Sequence, residues 1–274
     1  MPRARVLLVH GIRTSASMWR GQVERLSRHD LEVVPVDLPG HGSRIGEPFT
    51  LDAAFRVIGE ALAGGASGAA GTPVPGSPAE PPRLLVGLSL GGYLAIEFAA
   101  RHPEALDGLV AASCSTRPRG AALAGYQRLA ALISRLPDRG RRLNDVMARV
   151  FLPADAVADV VAGGVALDVM QPTLAAVGRL DTERSLASVT VPVWLVNGQF
   201  DHFRLEERRM LRAAPGSRRV VIQGATHLVS LARPDDFAAA VLGAVAELER
   251  RAARARRPAA ESGEVAVPPS RAAG

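Results

Sequence analysis

The stretch "RLLVGLSLGGYLAIEFAARHP", Arg83 to Pro103, constrains this chain more than any other. An apolar run of strand length stops at Gly-x-Ser-x-Gly and passes directly into a helical pattern. A serine hydroxyl becomes a useful nucleophile only when it projects clear of the backbone toward a base. A sharp strand-to-helix turn achieves this, but it strains the serine's own backbone and crowds the positions two before and two after. Gly87 and Gly91 remove that clash around Ser89. The bare pattern is weak in a chain with 27 glycines. The strand before it and the helix after it give it weight. The same turn sets the Leu90 N–H at a helix N-terminus, where it can donate to a developing oxyanion.

The rest of the chain repeats the strand-then-helix rhythm. "RVLLVHG", "LEVVPVDLPG", "DGLVAASCS", "VPVWLVNG" and "SRRVVIQG" read as further strands, each followed by a loop or helical pattern. Pro35 inside the second of these predicts a weak or irregular strand. Near-continuous apolar strands alternating with helices predict an α/β fold. Its sheet is mostly parallel, has about six strands, and carries helices on both faces. Residues 1–115 and 180–249 form the expected core. Residues 116–179, helical and arginine-rich with no strand alternation, form an expected cap inserted before the acid-bearing strand. Residues 250–274 are set apart as a basic, disordered tail, although a closing helical pattern runs from Pro234 to Arg257 and the disordered composition begins at about Pro258. Gly64 to Pro82 has the composition of an exposed loop.

In such sheets the functional residues lie just beyond the carboxyl ends of the strands. A nucleophilic serine needs a base and an orienting acid, and in this architecture they follow it in the order acid, histidine. Asp201 falls in the loop after "VPVWLVNG", and His227 in the loop after "RRVVIQG". Among the six histidines, only His227 has the right place in that order. His10 reads as a turn-stabilising residue and His41 as a loop hydrogen-bonder. His29 and His102 fall at helix ends, and His202 neighbours the acid. Asp181 and Glu183 precede their strand and sit at its wrong end. The strand "DGLVAASCS" is followed by Ser115 and Thr116 with no carboxylate, so the alternative acid position of such folds is empty.

Composition excludes several classes. The 33 basic residues are all arginine, for a net charge of +6, but no aromatic residues are interleaved among them. A base-stacking nucleic-acid surface is therefore not expected. No run reaches the length of a membrane helix, and the apolar stretch of "MPRARVLLVHG" is too short for a signal peptide. One cysteine, Cys114, permits no internal disulfide and points to a reducing, cytoplasmic setting. No histidine–carboxylate spacing suggests a metal, and no cofactor is implied.

The motifs taken together resemble the α/β-hydrolase superfamily. They are "HGIRTSASMW", "DLPGHG", "GLSLGG", "VNGQFD" and "GATHLVSLARPDDF", in that order. The resemblance implies a serine hydrolase with Ser89 as nucleophile, His227 as base and Asp201 as orienting acid. It also makes the Ile12 N–H the second oxyanion donor beside Leu90. Two features depart from the pattern. The sheet begins at once, without the two leading strands of most relatives, and Ser43 directly follows Gly42 rather than standing one residue later. The serine at the elbow excludes dehalogenases and epoxide hydrolases, which use aspartate there.

The implied substrate is a small or medium carboxylic ester, cleaved through an acyl-enzyme. Thioesterase, lactonase, acyltransferase, hydroxynitrile lyase or cofactor-free haloperoxidase chemistry on the same triad remains open. So do a non-catalytic ligand-binding role and the oligomeric state. The apolar cap residues Tyr126, Leu129, Leu132, Ile133, Val146, Met147, Val150 and Phe151 are expected mainly to pack the cap on the core. The cap arginines read as a solvated face that is also able to meet an anionic, carrier-bound acyl group. Arg13, next to the oxyanion donor, is a candidate substrate contact.

Overall fold

The computed structural model describes residues 2–64 and 80–256. Most of the loop read from Gly64 to Pro82, and the tail beyond Arg256, lie outside the described residues.

Six parallel strands form one sheet. They are β1 (Ala4–Val9), β2 (Leu31–Val36), β3 (Arg83–Leu88), β4 (Gly108–Ala112), β5 (Val193–Gly198) and β6 (Arg218–Ile222), in the spatial order β2-β1-β3-β4-β5-β6. Alternate residues of the buried strands feed two cores. Leu7, Val9, Leu85, Leu109 and Leu195 pack beneath α2 (Leu51–Ala63) and α3 (Leu90–Arg101). Val6, Leu8, Leu84, Val86, Val110 and Val196 face the side covered by α1 (Arg20–Ser27) and α11 (Pro234–Arg256). Burial on both faces is why these strands read as continuous apolar runs rather than alternating ones. Pro35 is accommodated because β2 is an edge strand. It pairs with Leu8 on one side only, so its missing N–H interrupts no interior ladder.

Between β4 and β5 the chain forms α4 (Gly120–Ile133), α5 (Arg141–Phe151), α6 (Ala154–Ala162), α7 (Met170–Val177) and α8 (Thr182–Ser188), while α9 (Glu207–Ala213) joins β5 to β6 and α10 (Val229–Ala232) leads from β6 toward α11. Several contacts join this segment to the loops that leave β1 and β2. The Ser17 hydroxyl donates to the Asp159 carbonyl at 2.6 Å and accepts from the Gly163 N–H at 3.1 Å. The Ala166 N–H donates to the Arg13 carbonyl at 3.4 Å. A Cβ on Gly40 would lie 3.3 Å from Val169.

Two expectations need correction. The 250 boundary set for the tail falls inside α11, which continues to Arg256 as the closing helical pattern implies. Alanine and arginine are strong helix formers, and Glu247 bonds Arg251 one turn on at 3.1 Å while Leu248 is buried on the core. Most of the large apolar residues expected to pack the segment down do not do so either. Leu129, Leu132, Val146, Met147 and Val150 are exposed, Val150 to 67%, and Tyr126 is at the margin. Ile133 is half-buried, and the Phe151 side chain lies outside the description. In α5 it is Asn144, Asp145 and Ala148 that turn inward, leaving the stripe Leu143, Val146, Met147 and Val150 facing out.

Candidate active site

The turn after β3 is the one its glycines imply. Ser89 has φ +56° and ψ −114°, outside the regions comfortable for a non-glycine residue. The close approaches are severe. A Cβ on Gly87 would lie 2.2 Å from the Gly91 carbonyl oxygen, and a Cβ on Gly91 would lie 2.2 Å from the Val9 carbonyl oxygen. The elbow is held from both neighbouring strands. The Ser89 N–H donates to the Ala112 carbonyl at 2.8 Å, and the Gly91 N–H to the His10 carbonyl at 3.1 Å.

Asp201 and His227 arrive from the next two strands. In the loop beyond β5, the Gln199 N–H bonds the Ile222 carbonyl and the Phe200 N–H bonds the Ala225 carbonyl, both at 2.9 Å. The acid loop and the histidine loop are thereby fastened side by side. His227 Nε2 lies 2.9 Å from Ser89 Oγ, and His227 Nδ1 lies 3.0 Å from Asp201 Oδ1. The Phe203 N–H donates to the same Oδ1 at 2.9 Å. Asp201 is buried. Desolvation works to raise its carboxyl, but the bond and charge of His227, the Phe203 amide and the Ser113 hydroxyl prevail and hold it below its ordinary value. The carboxylate is therefore ionised and positioned to keep the imidazole proton on Nδ1, with Nε2 free to accept from serine.

The Phe203 and His202 rings, themselves 4.6 Å apart, cluster with the His227 imidazole, with centroids 4.6 Å and 5.2 Å from it. The residue order points to His202 as a pocket neighbour of the acid but gives no sign of Phe203. His202 Nδ1 lies 3.9 Å from Asp201 Oδ1, but its side chain is 71% exposed.

The turn after β1 abuts the elbow, since a Cβ on Gly11 would sit 3.5 Å from the Ser89 Cβ. Ile12 is therefore beside the serine, and Leu90 opens α3 immediately after it. The first amides of a helix have no intrahelical acceptor, which leaves the Leu90 N–H available to a ligand. His10 builds this turn from below. It is fully buried, its Nδ1 lies 2.8 Å from the Gly11 carbonyl, and its Nε2 accepts from the Leu38 N–H at 3.1 Å. Burial, aided by nearby His41, lowers its pKa to about 3. Asp37 ties the same region together. Its Oδ1 accepts the Ala16 N–H at 2.7 Å, and its Oδ2 accepts both the Ser43 N–H at 2.9 Å and the Ser43 hydroxyl at 2.8 Å. The shifted position of Ser43 is thus what lets one side chain and its own amide bind a single carboxylate oxygen.

His10 has a consequence for pH dependence. A histidine held neutral by burial takes up a proton more readily when unfolded, so its contribution is fully present above the unfolded value near 6.5. It is lost as pH falls toward 3. We expect unfolding free energy to fall by up to about 2 kcal/mol between pH 6.5 and 4.5 from this group. Denaturant titrations of wild type and His10→Asn check it, because the variant should lose much of that slope. An equal slope in both would assign the acid sensitivity to carboxylates instead.

Arg13 follows Ile12 with φ +64°. Among the described residues its Nε is buried with no hydrogen-bond partner, and Nη2 makes one long bond, 3.5 Å, to the Gly140 carbonyl between α4 and α5. Cys114 is buried against Gly92. Among the described residues, no three His, Cys, Asp or Glu side chains cluster so as to hold a metal ion, and no helix is long and apolar enough to cross a membrane.

The chain is 28% identical over 260 residues to the pimeloyl-[acyl-carrier protein] methyl ester esterase of Neisseria meningitidis serogroup C, covering 87% of this chain and 93% of that one. Among solved structures it resembles a thermophilic esterase from Thermogutta terrifontis with TM-score 0.68 and 24% identity, covering 90% of this chain and 91% of that one. It also resembles the enol-lactonase of Burkholderia xenovorans with TM-score 0.67 and 20% identity, covering 89% and 91%. These two likenesses are of fold. The sequence profile described as the alpha/beta hydrolase family matches residues 6–240, which span the sheet, the elbow and the loops of Asp201 and His227, and the chain belongs to that family.

Proposed function

We propose that the chain is a serine esterase in which Ser89, His227 and Asp201 form the catalytic triad and the amides of Ile12 and Leu90 the oxyanion hole. The observation that carries this reading is the continuous array Ser89 Oγ–His227 Nε2 at 2.9 Å and His227 Nδ1–Asp201 Oδ1 at 3.0 Å, mounted on a strained elbow. His227 takes the serine proton as Ser89 attacks the ester carbonyl. It returns that proton to the leaving alcohol, and water, activated in the same way, releases the acyl group. The two amides meet the negative charge that develops on the carbonyl oxygen.

The segment 116–179 serves in this reading as a cap over the carboxyl edge. Its bonds to Ser17 and Arg13 support that role. By their names, curated relatives of this chain act on an ester carried by an acyl-carrier protein. A carrier-bound acyl ester is the substrate class proposed here too. Arg128, Arg135, Arg141, Arg142 and Arg149 of the cap are exposed and enter no ion pair among the described residues, whereas Arg117, Arg119 and Arg139 are paired. A reducing, cytoplasmic setting suits the single buried thiol. The test is turnover of matched methyl esters, free and carrier-bound, alongside a thioester and a lactone. Faster turnover of the carrier-bound ester supports the reading. Turnover of the thioester or lactone alone would replace it.

Arg13 extends the reading to substrate charge. A guanidinium that is half-buried with an unpartnered Nε and no carboxylate within ion-pair distance among the described residues is poorly compensated, and an anionic group beside the oxyanion hole would complete it. Arg13→Ala is expected to raise KM several-fold for esters bearing a nearby carboxylate or phosphate, with neutral esters changed little, because the contact exists in ground and transition states alike. KM for a matched neutral and anionic pair checks it. An equal change in both would leave Arg13 as a strut between the oxyanion turn and the α4–α5 junction.

A further inference from the structure

β4 ends at Ala112, and the next residue, Ser113, has φ +54° and a fully buried side chain. A non-glycine residue in the left-handed region carries a backbone cost and persists where its surroundings fix it. Ser113 is fixed on two sides. Its N–H donates to the Val196 carbonyl of β5 at 2.9 Å, and its hydroxyl donates to the His227 carbonyl at 2.8 Å. It therefore touches both the strand that delivers Asp201 and the residue that serves as base.

Asp201 supplies the complementary observation. Its Oδ1 receives both His227 Nδ1–H and the Phe203 N–H, while its Oδ2 is buried without a hydrogen-bond partner among the described residues. A buried carboxylate oxygen without a donor is costly. The Ser113 hydroxyl is among the groups that keep this carboxyl ionised. The position after β4 carries no carboxylate, but it carries a hydroxyl that bears on the acid of the next strand.

We propose that Ser113 is a positioning residue of the Ser89–His227–Asp201 array, its hydroxyl fixing the His227 main chain and its amide the strand that delivers Asp201. The inference rests on the serine-esterase reading and deepens it. Ser113 is buried beneath the array and acts through His227 and Asp201. Its loss should therefore weaken proton transfer in the transition state and leave ground-state binding intact.

Two variants separate positioning from stability. Ser113→Ala removes the hydroxyl and keeps the backbone strain, whereas Ser113→Gly removes the hydroxyl and relieves the strain. Both should lose about tenfold in kcat, equivalent to ~1.4 kcal/mol of transition-state stabilisation, with KM within about twofold. The rate of Ser89 labelling by a fluorophosphonate should fall in parallel, although the glycine variant melts at or above the alanine variant. Wild-type kcat in the glycine variant, or kcat that follows Tm across the two, overturns the role of Ser113. If wild type is labelled at Ser89 and both variants react at the same rate, only the Ser113 inference falls. If wild-type Ser89 is not labelled, the esterase reading falls and takes this inference with it.

Discussion

Ser89→Ala is expected to lower ester turnover by on the order of 10⁶-fold while the protein stays folded. The hydroxyl is the only group at the elbow able to form the acyl-enzyme, and loss of a nucleophile leaves what binding and the oxyanion hole supply, roughly 10³–10⁴-fold over water. Stability should change little. The side chain is small, and its one hydrogen bond among the described residues is to His227 Nε2. The alanine keeps the strained φ of +56° rather than adding to it. The check is kcat on an activated ester together with a thermal melt. A folded variant with more than about a hundredth of wild-type kcat would remove Ser89 from the chemistry.

Asp201→Asn should cost roughly 10³–10⁴-fold in kcat with KM within about threefold. The effect comes from charge and orientation rather than from packing, because asparagine has nearly the same shape. The Phe203 N–H holds an acceptor at the Oδ1 position, so the asparagine carbonyl is directed there and its amide nitrogen takes the buried Oδ2 position. The imidazolium formed during attack then faces a neutral group. The carboxylate charge that the native site keeps ionised against desolvation is gone. Steady-state kinetics at saturating ester decide it. A kcat within tenfold of wild type would mean that the orienting acid lies elsewhere.

Much of this site could be read from residue order because strand ends impose it. In a parallel sheet, every segment following a strand opens on the same edge, so the elbow, the Asp201 loop and the His227 loop had to converge. The glycines around Ser89 were informative for a local steric reason, visible in the 2.2 Å approaches their absent side chains permit. Ser113 was not legible. A serine after an apolar run gives no sign of positive φ, and its importance depends on a histidine carbonyl 114 residues away. Phe203 was missed for a similar reason, since stacking on His227 is set by a short 3₁₀ turn capped by Asp201 itself. The cap misled in the opposite sense. The spacing of Leu143, Val146, Met147 and Val150 defines an apolar stripe, but a stripe fixes two faces of a helix without saying which one meets the protein. The helical pattern through Arg257 was a better guide than the tail boundary at 250, because i,i+4 pairing and good helix formers carry α11 through the basic cluster to Arg256.

The central claim is that Ser89 is an activated nucleophile, and covalent labelling tests it most directly. Wild-type protein treated with a fluorophosphonate, digested and sequenced by mass spectrometry should carry the adduct on Ser89 alone. The labelling should run in step with loss of ester turnover, and His227→Ala should label far more slowly. An adduct on another serine, or full loss of turnover with Ser89 unmodified, would contradict the account.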